Sequence, residues 1–590
     1  MQLKKLAIIP ATAALLFGAA CGGGDSSDEP GGGAASQDLS GAGNVGGGMD
    51  AEAVGPAEEP EGAAEGGTLS VSTEVAPETI DPTRAYYTDS LAILKLVTRG
   101  LTGYQYNEGG EVVLVPDMAT DLGRVSEDGL TWEWTLKDGI RYDNGDEVTS
   151  EDIAYAIKRS FAQDVLTAGP LYQNEFFLDG DKYKGPYSDG TEYAGVEVID
   201  DKTFAIKLSK PFPDLPYYAS FPMFTGIPED LDTKLRYERE IAATGPYMIE
   251  EYVPQRSLTL VRNEEWDPET DPIRTQLPER WEFTFATDAN QTQKQIIADS
   301  GEDQTTLTYT EILASNYRQL LAEEGGEERL VTGSQPCTYF QYLDTRDLTD
   351  VNVRKAVGVA YPHEDSLQAG GAIPGLTALP ATQILPPGIP GREENDVLGT
   401  GGKGNGDPEK AKQMLEEADA VGTKISFYFQ TDIPESVKSS EVVEAALEEA
   451  GFTVERLPTT SEQIREKLDD PDAPVNMRGS GWCSDWPSGA SWFPPVFDGG
   501  LINPDSVPNM SFLDEPEVNK EIDRILTIED PEEAAQAWSD LDKLIMEKYY
   551  PVVPRYTPGS AFIHGSRVGG MENDPYFGMP TFEEMFVVPE

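Results

Sequence analysis

Histidine, cysteine and positive charge are what this chain of 590 residues lacks. Its only histidines are His363 and His564, and its three cysteines are Cys21, Cys337 and Cys483. Zinc, copper and haem sites are built from those side chains, so no metal site and no cofactor is expected. The same scarcity leaves little room for Ser-His or Cys-His catalysis. The sequence contains no H-E-x-x-H, no G-x-S-x-G elbow and no G-x-x-x-x-G-K-[ST] loop. Lysine and arginine number 44 against 105 acidic residues, a net charge of −61. That balance disfavours nucleic acid and anionic membrane surfaces as partners. It also makes chance carboxylate pairs so common that they assign no hydrolytic chemistry without geometry. Past the N-terminus no apolar run is long enough to span a bilayer.

What is present begins at the N-terminus. Lys4 and Lys5 precede an apolar run from Leu6 to Ala20 that ends in Gly18-Ala19-Ala20, followed at once by Cys21. A charged start, a short apolar core and small residues at a cleavage point make a secretory signal peptide. A cysteine directly after the small residues resembles the bacterial lipoprotein signal, which implies acylation of Cys21; an ordinary signal peptide with an incidental cysteine is the alternative. Such signals often carry Leu where Gly18 stands. From Gly22 to about Gly66 the chain is Gly, Ala, Ser, Pro, Asp and Glu, too poor in large apolar residues to fold, and is expected to be a disordered tether spanning ~35–40 Å. Gly41 to Gly46 matches G-x-G-x-x-G, but no strand precedes it and no amphipathic helix follows, so the dinucleotide reading fails.

The remainder has 38% apolar residues over the whole chain and is long enough for two or three domains. Leu69–Ser72 alternates as a strand, and Tyr87–Val97 carries Leu91, Leu94 and Val97 at helical spacing. Trp132, Trp134 and Leu136 share one face of a strand. Thr149 and Asp152 stand at cap spacing before the stripe Ile153, Ala156, Ile157 and Phe161. Val196–Val198 and Phe204–Leu208 read as a hairpin. Beyond Gly245 strands and helices alternate, with Asp350–Ala360 and the Pro408 helix capped by Asp407 among the helices, and Tyr339–Leu343 and Ile425–Phe429 among the strands. The mixture reads as α/β and α+β lobes.

One stretch concentrates chemistry. Gly481-Trp482-Cys483-Ser484-Asp485-Trp486-Pro487 and Trp492 set tryptophans around one acid. An aspartate walled by aromatic surface can receive a cation, the aromatic faces adding ~0.5–2 kcal/mol; from composition alone a tryptophan-rich core segment with a solvated aspartate is the plainer reading. If Cys21 carries lipid, Cys337 and Cys483 are left in an oxidising compartment and are expected to pair, with two unrelated buried thiols as the alternative.

Several segments, in order, resemble the family 5 extracellular solute-binding proteins, receptors of ABC importers. They are Ile80-Asp81-Pro82; Asp128-Gly129-Leu130-Thr131-Trp132 with Leu136 to Tyr142 and Val148 to Asp152; Thr244-Gly245-Pro246-Tyr247; Asp350 to Ala356; Asp407 to Ala411; and Trp482-Cys483-Ser484-Asp485. The resemblance implies a periplasmic-binding-protein-like type II fold of three lobes with the ligand cleft between two. The implied division is signal peptide 1–20, lipidated cysteine and tether 21–66, lobe I 67–107, an inserted lobe II 108–240, lobe I again 241–336, lobe III 337–557, and a return to lobe I over 558–590. It implies that Asp485 binds a peptide's α-ammonium, with Trp482, Trp486 and Ser484 about it, and that a disulfide joins Cys337 to Cys483. Arg478 is a candidate for the ligand carboxylate, a surface arginine being the plainer reading. After Asp485 many members read Y-[PN]-[DE]-P, whereas this chain has Trp486-Pro487-Ser488-Gly489.

The implied function is peptide capture by hinge closure and delivery to a membrane permease and its ATPase, with no bond made or broken. The protein is expected to be a monomer outside the cytoplasm, lipid-anchored at the outer face of the cytoplasmic membrane, or in the periplasm where a second membrane exists. Alternatives are a receptor for an oligosaccharide or opine, a peptide-sensing signalling receptor, and a secreted carboxylate hydrolase.

Overall fold

Leu69 and Val71 point into the core from Thr68–Ser72 (β1), a strand inside a ten-stranded sheet. The sheet's main path also contains Tyr247–Val253 (β2), Ser257–Arg262 (β3), Arg280–Thr284 (β4), Thr306–Thr308 (β5), Cys337–Leu343 (β6), Met477–Cys483 (β7) and Val552–His564 (β8). Their order is β7-β6-β8-β5-β1-β4-β3-β2, with Leu330–Ser334 and Ala378–Leu379 also pairing to β8. The computed structural model describes residues 48–106, 112–502 and 509–590; Cys21 and the glycine pattern at 41–46 lie outside them.

The strand β8 joins the two ends of this sheet. Its Ile563 and His564 pair antiparallel with β5, while Val552 to Tyr556 pair antiparallel with β6. Two large apolar cores follow from this. One gathers Leu69, Trp134, Ile157, Tyr218, Trp281 and Phe562; the other gathers Phe340, Val357, Ile425, Leu447, Trp482 and Ile545. A separate four-stranded antiparallel sheet, of Arg124–Val125, Thr131–Thr135, Thr203–Lys207 and Val196–Val198, stands on the first core.

Local sequence explains the elements. Trp132, Trp134 and Leu136 are all buried, as the alternation predicts. Thr149 accepts from the Asp152 amide and the Asp152 carboxylate accepts from the Thr149 amide, a complete capping box on the helix Ser150–Arg159. Asp350 and Asp407 cap the helices Val351–Ala360 and Pro408–Glu417. Among the described residues no helix is long and apolar enough to cross a membrane.

Residues 48–66 differ from expectation. Read from composition as part of the disordered tether, they instead lie along the body. Gly48–Met49 pairs in parallel with Val113 and Leu114. The Ala57 amide donates to the Asp271 carbonyl at 2.9 Å and the Gly66 amide to the Leu277 carbonyl at 2.8 Å. Gly55 runs so close that a Cβ would stand 2.7 Å from backbone atoms of Pro268, Glu269 and Asp271. Composition weighs side-chain burial; this strap is held by backbone hydrogen bonds and by glycine's lack of a side chain.

Candidate functional site

The strands β6 and β7 are antiparallel, with Cys337 directly opposite Cys483, and the two form a disulfide. The chain then leaves β7, the Ser484 amide donating to the Pro336 carbonyl at 2.8 Å. That turn delivers Asp485 to a junction of distant segments. Its Oδ1 accepts from the Tyr86 hydroxyl at 2.7 Å, its Oδ2 accepts from the Tyr172 hydroxyl, and its carbonyl accepts from the Tyr576 hydroxyl. Burial raises the Asp485 carboxyl to about 6, against the pull of the two hydroxyl donors. Burial, and then the neighbouring carboxylate, push Tyr86 and Tyr172 well above the usual phenol range, so both stay neutral donors.

Trp486 is the next residue and is 1% exposed. Among the described residues it is the only buried apolar one between Leu307 and Phe562 that belongs to the first core, although the chain around it packs in the second. Its ring lies 4.7 Å from that of Tyr172 and 5.8 Å from that of Phe212, and its Nε1 donates to Asp214 at 2.6 Å. The tryptophan is a plug by which one half of the molecule grips the other.

The remaining sequence-predicted residues serve elsewhere. Trp482 is buried in the second core and its Nε1 donates to the Ser491 carbonyl at 2.8 Å. The Ser484 hydroxyl accepts from Trp492 Nε1 at 2.5 Å. Arg478 sits at the other end of β7, fully buried, its Nη1 donating to Asp344 at 3.0 Å and its guanidinium 4.9 Å from the Phe512 ring. Asp485 and Trp486 thus come together, and Arg478 does not join them. The surface-arginine reading of Arg478 is overturned: Asp344 and Phe512 hold it in the interior.

The tyrosines 86, 172 and 576, together with Asp214, were not singled out in the sequence. Each is far from Asp485 along the chain, and no short motif marks them. The nearest signal was the aromatic run from Tyr217 to Phe224, which supplies Tyr218 and Phe221 beside them.

The site also has an open edge. The strand β7 ends the sheet path, and Gly479 and Gly481 lie on it opposite Gln341 and Tyr339. A Cβ at Gly481 would meet the Tyr339 ring at 2.9 Å, so only glycine lets this ring lie over the strand. Tyr339 stacks on Tyr556 with centroids 4.9 Å apart. An edge strand carrying glycines, and ending at an acid, can pair with extended backbone while the acid takes a cation.

Residues 113–503 match the bacterial extracellular solute-binding proteins, family 5 middle region. The chain is 22% identical over 526 residues to the oligopeptide-binding protein OppA of Bacillus subtilis, covering 85% of this chain and 90% of that one. The solved structure of clavulanic acid biosynthesis oligopeptide binding protein 2 superposes with a TM-score of 0.81 at 26% identity, covering 92% of this chain and 99% of that one. A structure of OppA of Listeria monocytogenes bound to peptide has the same fold, with a TM-score of 0.61 at 18% identity over 89% of this chain and 99% of that one. With its mixed α/β lobes and the acid-bearing turn after β7, this chain is a member of the family 5 bacterial extracellular solute-binding proteins.

Proposed function

We propose that this protein is the extracytoplasmic receptor of an ABC importer and captures short peptides by their free amino terminus, delivering them to a membrane permease and its ATPase. The observation that carries the reading is Asp485: a carboxylate placed at the end of a glycine-bearing edge strand, ringed by Tyr86, Tyr172 and Trp486. An α-ammonium offers three donors, and in an aromatic, poorly hydrated setting its attraction to a carboxylate is strengthened. Backbone pairing along β7 would accept many side chains. The relatives named above as oligopeptide-binding proteins support the same substrate class.

Capture works by hinge closure. Lobe I, the insertion and lobe III, with the boundaries given in the sequence analysis, meet at Asp485. The chain passes between lobes I and III at Gln335–Pro336 and Thr557–Pro558, where the Gln335 amide donates to the Pro558 carbonyl at 2.9 Å. A ligand touching both sides favours the closed arrangement by its differential contacts. Acylation of Cys21 would hold the monomeric receptor at the outer face of the membrane.

Calorimetry with an unmodified tripeptide and its N-acetyl derivative tests the reading. Acetylation should weaken binding to the wild-type protein, and Asp485→Asn should weaken the free-amine peptide to a similar degree. Binding of an oligosaccharide or opine with no peptide binding would replace the peptide reading, and cleavage of the peptide would replace the receptor reading.

A further inference from the structure

Trp486 is the first residue at which this chain leaves the Y-[PN]-[DE]-P pattern, and the change brings in an indole N–H. That N–H donates to Asp214 Oδ2 at 2.6 Å, across 272 residues of chain. Asp214 stands at the N-cap of the short helix Leu215–Tyr218, where an aspartate ordinarily turns its carboxylate onto the first helical amides. Here the side chain makes no cap bond. Nor does a base neutralise it. Burial raises its carboxyl, and the groups that draw it back down are the Trp486 indole and the Ser488 hydroxyl. Both belong to the third lobe, while the backbone of Asp214 belongs to the insertion. A residue placed to cap its own helix therefore faces across to another lobe.

The two surfaces that meet here are each braced from within. On the third-lobe side Trp486 is set by its own turn, its carbonyl accepting from the Ser488 amide at 2.7 Å and from the Ser491 hydroxyl at 3.0 Å. On the side of the insertion the socket walls hold one another. Phe212 stacks on Phe176 with centroids 4.1 Å apart, and the Tyr218 hydroxyl donates to Gln173 Oε1 at 2.6 Å. Trp486 enters that socket against Tyr172 and Phe212. Ring contacts tolerate sliding and rotation, whereas a hydrogen bond to an ionised acceptor fixes distance and direction. The Tyr172–Asp485 bond also crosses between these lobes, but it uses the acid that a ligand needs. The Trp486–Asp214 bond leaves the Asp485 carboxylate untouched.

We propose that Asp214 is a positioning residue for ligand capture: through the Trp486 indole it latches the insertion to the third lobe, holding the lobes closed about Asp485 and retaining a ligand bound there. This rests on the reading of the lobes as closing about Asp485. The latch works by shifting the balance of open and closed arrangements, since its bond exists only in the closed one. Its chemistry is asymmetric. Removing the N–H leaves a buried carboxylate short of a donor, and removing the carboxylate leaves a buried N–H without an acceptor. Replacing both partners by apolar groups leaves neither deficit. The pair is therefore coupled, and each half alone should be worse than none.

The test is a double-mutant cycle of Trp486→Phe and Asp214→Leu, read by small-angle scattering of the ligand-free protein and by surface plasmon resonance with Ala-Ala-Ala. Trp486→Phe keeps a ring in the socket and strips the N–H. It should enlarge the radius of gyration and raise the off-rate about 10- to 100-fold without slowing association. Asp214→Leu alone should act in the same direction. The double variant should return both readings toward the wild type, which loss of packing at either position would not do. Asp214→Asn keeps an acceptor for the N–H and should stay within about threefold of the wild-type off-rate. A wild-type radius or a wild-type off-rate in both single variants overturns the latch, and so does a double variant as fast as the product of its singles. Should one single variant fail to fold, the other, set against Asp214→Asn, decides in the same way. A wild-type protein that does not bind Ala-Ala-Ala overturns the peptide reading instead. The radius then judges the latch: enlargement reversed in the double variant sustains it, and an unchanged radius overturns it.

Discussion

Lowering the pH from 7 to 5 is expected to weaken the binding of a free-amine peptide about tenfold, through Asp485 alone. Burial sets its carboxyl at about 6. An ammonium ligand needs the ionised form, so it competes with one proton, and the apparent Kd scales as one plus ten to the power (pKa − pH). That factor is about 1.1 at pH 7, about 2 at pH 6 and about 11 at pH 5, a loss of ~1.4 kcal/mol across the range. The direction follows from the raised value: the free protein holds the proton below about pH 6, and the ligand's positive charge must expel it. The peptide's own amine, with a pKa of ~7.7–8, stays charged throughout this window and begins to lose its proton only above it, so affinity should peak near neutrality. Isothermal calorimetry at pH 5, 6 and 7 measures the slope. Repeating the pH 6 titration in buffers of different ionisation enthalpy counts the released proton, about half of one per peptide. Asp485→Asn should bind weakly at every pH and lose the acid limb. A wild-type Kd that changes less than twofold between pH 5 and 7, with the fold intact by circular dichroism, would refute the ammonium role of Asp485.

Three further outcomes are expected. The mature domain lacking Cys21, unfolded without reductant, should show no free thiol, and reduction should lower its melting temperature, the Cys337–Cys483 loop being worth at most ~5 kcal/mol by chain entropy; two free thiols would contradict the bridge. Trp486→Ala empties an aromatic pocket that joins the two cores, so it should cost ~3–5 kcal/mol in chemical denaturation and enlarge the radius of gyration in solution scattering; an unchanged radius would deny its role as a plug. Glu311, buried beside the Ala561 amide at 2.8 Å, has its carboxyl raised to about 8 from an ordinary value of 4.5. Its contribution is fully present below pH 4.5 and is lost as the pH rises through 8, so Glu311→Gln should raise the melting temperature at pH 8 more than at pH 5; an equal change at both would remove ionisation as the cause.

Much of the fold was legible because it depends on local pattern. The Trp132–Trp134 alternation, the Thr149 capping box and the Asp350 and Asp407 caps each declare themselves within a few residues. The cysteine pair was legible from count and compartment, and the acid of the Trp-Cys-Ser-Asp turn from resemblance. What could not be read was whatever depends on distant chain meeting in space. Tyr86 and Tyr172 reach Asp485 across sequence separations of 399 and 313 residues. Trp486 and Trp482 look alike in sequence, yet one crosses to the first core and the other stays in the second. Arg478, by proximity in sequence a site candidate, was claimed by Asp344 from across the sheet. The strap was misread because hydrogen bonds made by glycine-rich backbone leave no trace in hydropathy.

If Cys21 is acylated as proposed, that strap also governs how the receptor is moored. With residues 48–66 fastened to the body, 26 residues (22–47) separate a lipid on Cys21 from the first fastened position. At ~3.3–3.6 Å per residue a chain of that length reaches at most about 95 Å, which would cap the height at which a body so anchored rides. The line is made fast beside the strand Val112–Pro116 and not at the start of β1. Were Cys21 acylated as proposed, a pull from the membrane would reach the body beside Val112–Pro116. Displacing the strap at Gly55 alone would leave that line unchanged, because its first fastened position is the Gly48–Met49 pairing upstream; lengthening it requires releasing that pairing.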